Sequence, residues 1–353
     1  MLGGHSSGGI GLTVKWDGAP AIICGTNPEN GKFFVGTKSV FNKTPKINYT
    51  NADINNNHSG GLADKLKIAL KYLSKLGITG VLQGDLMFTT GDFDSKDIDG
   101  EKFITFTPNT ITYAVAEDSL LSKKIKQAKM GIVFHTEYKG RTIQTMKASF
   151  GPKLRLKKSS DVWYDDSSFK DFSGVNLSSS DVRRFDTAMA NATSLTKSVS
   201  RFLNSIEPNI QSLLKVYINS KVRVGTLKVS HKNFVKYVTD VYKGKIDKLK
   251  SDSGKSRKKK ELDSIVKKLN SQSSKYDDMF DLFGELLSMK NIIVKQLNKI
   301  KGKMKTFMKT DSGFKVTAPE GFVSIDQISN KAFKLVDRLE FSKNNFNVAK
   351  NWG

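Results

Sequence analysis

Thr13-Val14-Lys15-Trp16-Asp17-Gly18-Ala19-Pro20-Ala21-Ile22-Ile23-Cys24 reads as a strand end, a tight turn and a second apolar strand. Gly18 can take a backbone conformation denied to other residues, and Asp17 can accept hydrogen bonds from main-chain amides around the turn. The β-branched residues beyond Pro20 suit a pleated, half-buried surface. Working outward, branched and aromatic segments separated by Gly, Asn and Asp recur at Ala19–Cys24, Lys32–Val40, Gly80–Phe88, Lys102–Thr107, Thr110–Ala116 and Gly131–Tyr138. One helix interrupts them, with Leu62, Leu66, Leu70 and Leu73 on one face and Lys and Asp on the other. The expectation is an α+β domain on antiparallel sheet over residues 1–155.

After a Lys/Ser/Asp-rich transition at Leu156–Phe172 the period changes to 3.6 residues. Val182, Phe185, Met189, Ala192, Val199 and Phe202 mark one helix, and Ile210, Leu213, Leu214, Tyr217 and Ile218 a second that follows Pro208. A third passes through Phe234, Val238 and Val241. The longest is expected over Tyr276–Met304, with Ser274 to Asp277 resembling a capping box at its start. Between Lys243 and Lys309 nineteen Lys/Arg stand against eight Asp/Glu, and Lys255-Ser256-Arg257-Lys258-Lys259-Lys260 reads as part of a Gly/Ser/Asp-rich loop. That run is either a solvated turn or a phosphate-contacting surface. Strands return at Phe314–Ile325 and Ala332–Val336, so a mostly helical insertion, 156–310, is expected to interrupt a β domain that resumes over 311–353.

The chain has 353 residues, 58 Lys/Arg, 34 Asp/Glu and a net charge of +24. Such an excess points to a polyanionic partner, nucleic acid first, although a Lys/Asn/Ile-rich composition also contributes. Cys24 is the only cysteine, which excludes an intrachain disulfide, and it reads as a small core residue. His5, His58, His135 and His231 are scattered without cysteine company, which argues against zinc. No apolar stretch has the length of a membrane span or the form of a signal peptide. A cytoplasmic protein without membrane partners, and a monomer, is the expectation.

Taken in order, several segments resemble the motifs of the covalent nucleotidyltransferases, the family of ATP-dependent DNA ligases, RNA ligases and mRNA capping enzymes. Val14-Lys15-Trp16-Asp17-Gly18 looks like motif I, whose lysine becomes nucleotidylated; Val14, Asp17 and Gly18 would line the nucleotide. Gly36-Thr37-Lys38-Ser39 is similar to motif Ia, which implies that Lys38 lies near the ribose or the strand to be joined. Gly80 to Phe88 resembles motif III, with Asp85 where Glu is commoner, contacting the ribose or supporting the metal. Thr110 to Ala116 resembles motif IIIa, whose aromatic, here Tyr113, stacks on the purine. Pro319-Glu320-Gly321-Phe322-Val323 closely matches motif IV, implying that Glu320 binds the catalytic divalent cation. Phe333 to Arg338 resembles motif V, where Lys334 would neutralise the α-phosphate. The family's second motif V lysine falls at Val336, with Arg338 or Lys331 as substitutes. A rival placement takes Met130 to Phe134 as motif IV and Lys153 to Lys157 as motif V, but a thioether is a poor ligand for Mg2+.

The similarity covers roughly residues 10–150 and 312–350, and the pattern, including the segment from Phe341 to Trp352, is also similar to ligase-like proteins of tailed bacteriophages, whose setting would be the host cytoplasm. It implies an α+β, antiparallel-sheet nucleotidyltransferase (ATP-grasp-like ligase) domain without a C-terminal oligonucleotide-binding barrel, since few residues follow motif V. The implied function is an ATP-dependent polynucleotide ligase that joins 5′-phosphate and 3′-hydroxyl ends of DNA or RNA through lysyl-AMP at Lys15, with Mg2+ or Mn2+. The alternatives are an mRNA capping guanylyltransferase and a non-catalytic basic nucleic-acid-binding protein.

Overall fold

The computed structural model describes residues 10–167, 176–299, 304–310, 313–326, 329 and 331–342. His5 and the segment after Ser342, both used above, lie outside the described residues. The chain divides into two compact units. The first draws on residues before 177 and on 297–336; the second is 177–296 joined by the short π-helical turn Arg338–Ser342.

The first unit begins with β1 (Ile10–Lys15), β2 (Ala21–Thr26) and β3 (Phe33–Gly36), then α1 (Asn51–Asn57), α2 (Gly60–Leu73), β4 (Val81–Thr89), β5 (Asp94–Ile98), β6 (Glu101–Phe106) and β7 (Ile111–Ala116). It continues through α3 (Leu120–Gln127), β8 (Met130–Lys139), β9 (Lys147–Phe150) and β10 (Val162–Asp166), and after the second unit closes with β11 (Lys305–Thr310), β12 (Gly313–Val316), β13 (Gly321–Asp326) and β14 (Lys331–Val336). Among the described residues these make three sheets, ordered β1-β13-β14, β10-β8-β4-β2-β3 with β9 on β8, and β12-β11-β7-β6-β5. The pairing of β10 with β8 is parallel and the rest are antiparallel, so the molecule is mixed α and β on mainly antiparallel sheets.

Helix α2 forms where its leucine spacing requires it. Ala63, Leu66, Ala69 and Leu73 are buried against Ile22, Cys24, Ile132 and Phe134 of the largest sheet, each large side chain contributing about 1.5–3 kcal/mol. Burial also pushes the Cys24 thiol up, so it stays protonated and inert. Two short helices stand where no helical period was expected. Helix α1 is Asn-rich and forms through a capping box, Thr50 accepting from the Asp53 amide and Asp53 from the Thr50 amide. Helix α3 is capped by Ser119, which accepts from the Ser122 amide. The expected boundaries at 156 and 310 fall inside the first unit, because β10 and β11 pair with β8 and β7. Their Lys- and Asp-rich sequences hide the strand period.

The second unit consists of α4 (Ser179–Ser205), α5 (Pro208–Arg223), α6 (His231–Asp247), α7 (Asp252–Ser271) and α8 (Ser273–Leu297). It has its own core, in which Phe202, Tyr217, Phe234, Tyr276 and Phe280 pack together. Pro208 occupies the first turn of α5, where its missing N–H costs nothing. Helix α8 starts at Ser273, so Ser274 to Asp277 lie within its first turns rather than capping it, and it ends at Leu297, short of Met304.

The run Lys255 to Lys260 is helical, not a loop. Ser251-Asp252-Ser253-Gly254 is the start of α7: the Ser251 hydroxyl accepts from the Gly254 amide, and Leu262, Ile265 and Leu269 bury the inner face. Those anchors hold the helix against its own charge, since cations in the opening turns oppose the helix dipole and repel one another by a few tenths of a kcal/mol per pair, roughly. No helix among the described residues is long and apolar enough to cross a membrane.

Candidate functional site

Strand β1 pairs with β13 over its whole length, and this places Lys15 opposite Gly321, one residue after Glu320. The Lys15 Nζ donates to Glu320 Oε2, a contact between side chains 305 positions apart in the chain. Glu320 is almost fully buried. Burial raises its carboxyl above the usual glutamate range, the Lys15 charge and hydrogen bond oppose that rise, and the neighbouring Asp17 and Asp85 charges add to it. Lys15 is thus paired with one carboxylate, Glu320, which also feels the charges of Asp17 and Asp85.

Asp17 is the fixed point of the group. It is buried and accepts three hydrogen bonds, from Asn109 Nδ2 at 2.7 Å, the Thr110 amide at 2.7 Å and the Ile111 amide at 2.8 Å, which tie the turn after β1 to the start of β7. The Asp17 amide in turn donates to Tyr113 Oη at 2.7 Å. A Cβ on Gly18 would lie 2.6 Å from Asp85 Cβ and 2.9 Å from the Leu86 carbonyl oxygen. Glycine at that position is therefore what lets the turn press against β4 and bring Asp85 under the site. The Ala19 amide donates to the Leu86 carbonyl at 2.9 Å and Leu86 back to Pro20 at 3.1 Å, fixing the turn along that strand. The Val14 amide donates to the Ser167 carbonyl at 2.7 Å and so anchors β1 beyond the end of β10.

Tyr113 does not offer a face for a base. One side of its ring stacks on Trp16, with centroids 5.2 Å apart, and the other on Phe106 at 5.6 Å. Burial drives its phenol well above the ordinary value, the Asp17 amide hydrogen bond works against that, and the charges of Asp17, Glu320 and Asp85 reinforce it. It is thus a neutral tyrosine that positions Asp17 and Trp16, which corrects the purine-stacking role expected from the sequence. Trp16, only partly buried, is the aromatic on the margin of the group.

The motif V residues separate. Lys334 is exposed on β14 and stands opposite Val323, itself opposite Thr13. Since alternate residues share a face of a sheet, Lys15 and Lys334 lie on the same face, two strands or about 10 Å apart across the sheet. Val336, where the resemblance would put a second lysine, sits directly across Gly321 from Lys15. Neither proposed substitute reaches that place. Lys331 pairs with Asp326 at the far end of β14, and the Arg338 guanidinium donates to Asn219 Oδ1 at 2.8 Å in the helical unit. Lys38 is exposed in the short 3-10 helix Lys38–Phe41 after β3, and no hydrogen bond or ion pair among the described residues links it to Lys15. Met130 is wholly buried in the core under β8, and the side chain in contact with Lys15 is Glu320.

One neighbour of the site escaped the sequence reading. His135 Nε2 lies 3.6 Å from Asp85 Oδ1, and its Nδ1 lies 2.8 Å from Thr136 Oγ1. Gln83 pairs with Thr136 but Gly84 with Phe134, so His135 is the extra residue of a bulge that turns it toward Asp85. Gly84 in the middle of a strand is the signal that marks such a bulge.

Residues 1–350 match a family of unknown function designated DUF6267. The chain belongs to the DUF6267 family. No curated protein and no solved structure matches it. What this DUF6267 chain can do chemically therefore follows from the Lys15 group. Among the described residues no set of three or more His, Cys, Asp and Glu is arranged as a metal cage. A groove lined by Asn191, Leu195, Val229 and Phe280 among others belongs to the helical unit and contains none of the Lys15 group.

Proposed function

We propose that this chain is an ATP-dependent polynucleotide ligase whose first unit is a nucleotidyltransferase domain and whose covalent intermediate is lysyl-AMP at Lys15. The reading rests on one observation above all: the motif I lysine and the motif IV glutamate, 305 positions apart, are in contact, and the charges of Asp17 and Asp85 act on that glutamate. In the reaction that the motifs imply, the neutral Lys15 amine, released from Glu320, attacks the α-phosphorus of ATP. A nitrogen–phosphorus bond forms, the bond to the bridging oxygen breaks, pyrophosphate leaves and the amine proton passes to solvent. The AMP then moves to a 5′-phosphate end, and a 3′-hydroxyl displaces it to close the strand. The protein's part is positioning and charge neutralisation, with Asp17 holding the turn, Lys334 on the face that Lys15 occupies, and Asp85 supported by His135 at the ribose side.

The carboxylates suit a hard divalent cation. Mg2+ is usually held by one or two carboxylates plus substrate phosphates rather than by an all-protein cage, which fits Glu320 and Asp85 without a third ligand. Bound there, Mg2+ or Mn2+ would supply Lewis-acid stabilisation of phosphate charge. The partner is nucleic acid, DNA or RNA ends or nicks, in keeping with the net charge of +24, and an enzyme fed by cellular ATP works in the cytoplasm, that of the host if the chain is phage-encoded.

The test is incubation with α-labelled ATP or GTP and Mg2+ or Mn2+, followed by denaturing electrophoresis. Wild type becomes labelled by ATP, while Lys15→Ala and the charge-conserving Lys15→Arg do not. Labelling by GTP alone would move the chain to the capping guanylyltransferases. With no label from either nucleotide but salt-sensitive binding to nucleic acid, the non-catalytic reading replaces it. Sealing of matched nicked and single-stranded DNA and RNA substrates then assigns the strand chemistry.

A further inference from the structure

We infer that the outward face of α7 is a binding surface for the phosphate backbone of a nucleic-acid duplex, sequence-independent and separate from the Lys15 group. The helix has a clear inside: Leu262, Ile265 and Leu269 are buried. At 100° per residue the opposite side carries Ser253, Arg257, Lys260, Ser264 and Lys267, alternating by four and three positions. This face holds three cations and small hydroxyls and no carboxylate; Glu261 and Asp263 fall on its flanks. Arg257, Lys260 and Lys267 are exposed. Among the described residues none of the three makes an ion pair, whereas Lys258 is taken by Glu261 and Lys268 by Glu207.

The surrounding surface has the same sign. From Lys243 to Lys260 nine Lys/Arg stand against Asp247 and Asp252. Lys245 and Lys258 lie over the Tyr242 ring at 5.0 and 5.1 Å, which packs their stems between α6 and α7 and leaves a ridge of charge along the hairpin. Such a ridge costs helix stability in the free protein through mutual repulsion, and a polyanion laid along it removes that cost.

Which polyanion follows from what the face lacks. A membrane-lying helix needs an exposed apolar side to enter the lipid, and the apolar side of α7 is in the core. A single-strand platform needs exposed aromatics for bases to stack on, and this face has none. Serines between the cations leave room for a backbone to approach closely, and a duplex carries one charge per about 1.7 Å of its axis against the three cations spread over roughly 15 Å of helix.

Binding is read on the full chain by fluorescence anisotropy with labelled duplex DNA, duplex RNA, single strands and, by sedimentation, anionic phosphatidylserine vesicles, over a series of KCl concentrations. Wild type binds both duplexes, more weakly as salt rises. Combined Arg257→Gln, Lys260→Gln and Lys267→Gln, which keeps helix propensity, lowers the log–log salt slope by about 2.7, at about 0.9 per phosphate contact. It weakens duplex binding at least tenfold at about 0.1 M salt, where three released counterions allow far more. A control removing three exposed lysines of the first unit, Lys123, Lys124 and Lys158, changes the slope by less than half as much. Far-UV circular dichroism of both variants matches wild type. Unchanged duplex binding and slope in the α7 variant, or tighter binding to single strands or to vesicles than to duplex, overturns the proposal. Nucleotide labelling of Lys15 is measured on the same variant, so a failure of the ligase reading and a failure of this surface show up in different assays.

Discussion

At the scale of single residues the site turns on one ion pair, Lys15 with Glu320. Glu320 has the sign that burial dictates, a carboxyl raised above its ordinary range despite Lys15. The native state therefore binds the Glu320 proton more tightly than the unfolded chain does. Glu320 contributes stability that is fully present below the ordinary glutamate value of about 4.3 and is lost as pH rises through the raised value. Urea midpoints of wild type and Glu320→Gln, measured from about pH 4 to 7, should show the wild type losing ground to the variant with rising pH. A difference that grows in favour of wild type over that range would contradict the assigned direction. Asp17 is a structural carboxylate: the three hydrogen bonds it accepts come from Asn109, Thr110 and Ile111, at and just before the start of β7.

At the scale of elements, the site depends on how closely β13 approaches β14. A Cβ on Gly321 would meet the Leu335 carbonyl oxygen at 2.5 Å and Val336 Cα at 2.9 Å, both backbone atoms that cannot step aside alone. Gly321→Ala should thus cost about 1–3 kcal/mol by overpacking and, by shifting β13, reduce labelling of Lys15 together with stability. Gly244 gives the contrast: it lies within α6 with nothing near a new Cβ, so Gly244→Ala should stabilise by about 0.5–1 kcal/mol. Denaturant unfolding of the two variants, read beside labelling, checks both signs. The elements also show where local sequence misleads. The Ser251-to-Gly254 cluster has loop composition but is the N-terminal cap of α7, because Ser and Gly serve both purposes and only the buried Leu262, Ile265 and Leu269 decide between them.

For the whole molecule, two units with separate cores imply separate unfolding. Phe234 is fully buried among the aromatics of the helical unit and has no part in the core under α2. Phe234→Ala should cost about 3–5 kcal/mol, concentrated in α4 to α8. Hydrogen exchange resolved by segment is expected to quicken there while the strands of the first unit keep their protection. Uniform acceleration across both units would show that the two cores melt as one.

The sequence by itself determined the character of most elements. Leu66 and Leu73 at helical spacing, the branched runs of β2, β4, β7 and β8, and the aromatic stripes of the helical unit are local periodicities, and period survives whatever the elements later pack against. It also pointed to Lys15 and Glu320, but only through resemblance, since no local pattern can join residues 305 positions apart. Tertiary structure alone decided that the first and next-to-last strands pair, that Tyr113 has both faces covered, and that a bulge turns His135 toward Asp85. Strand register and ring stacking are set by partners far away in the chain, whose contacts appear only once the sheets have formed.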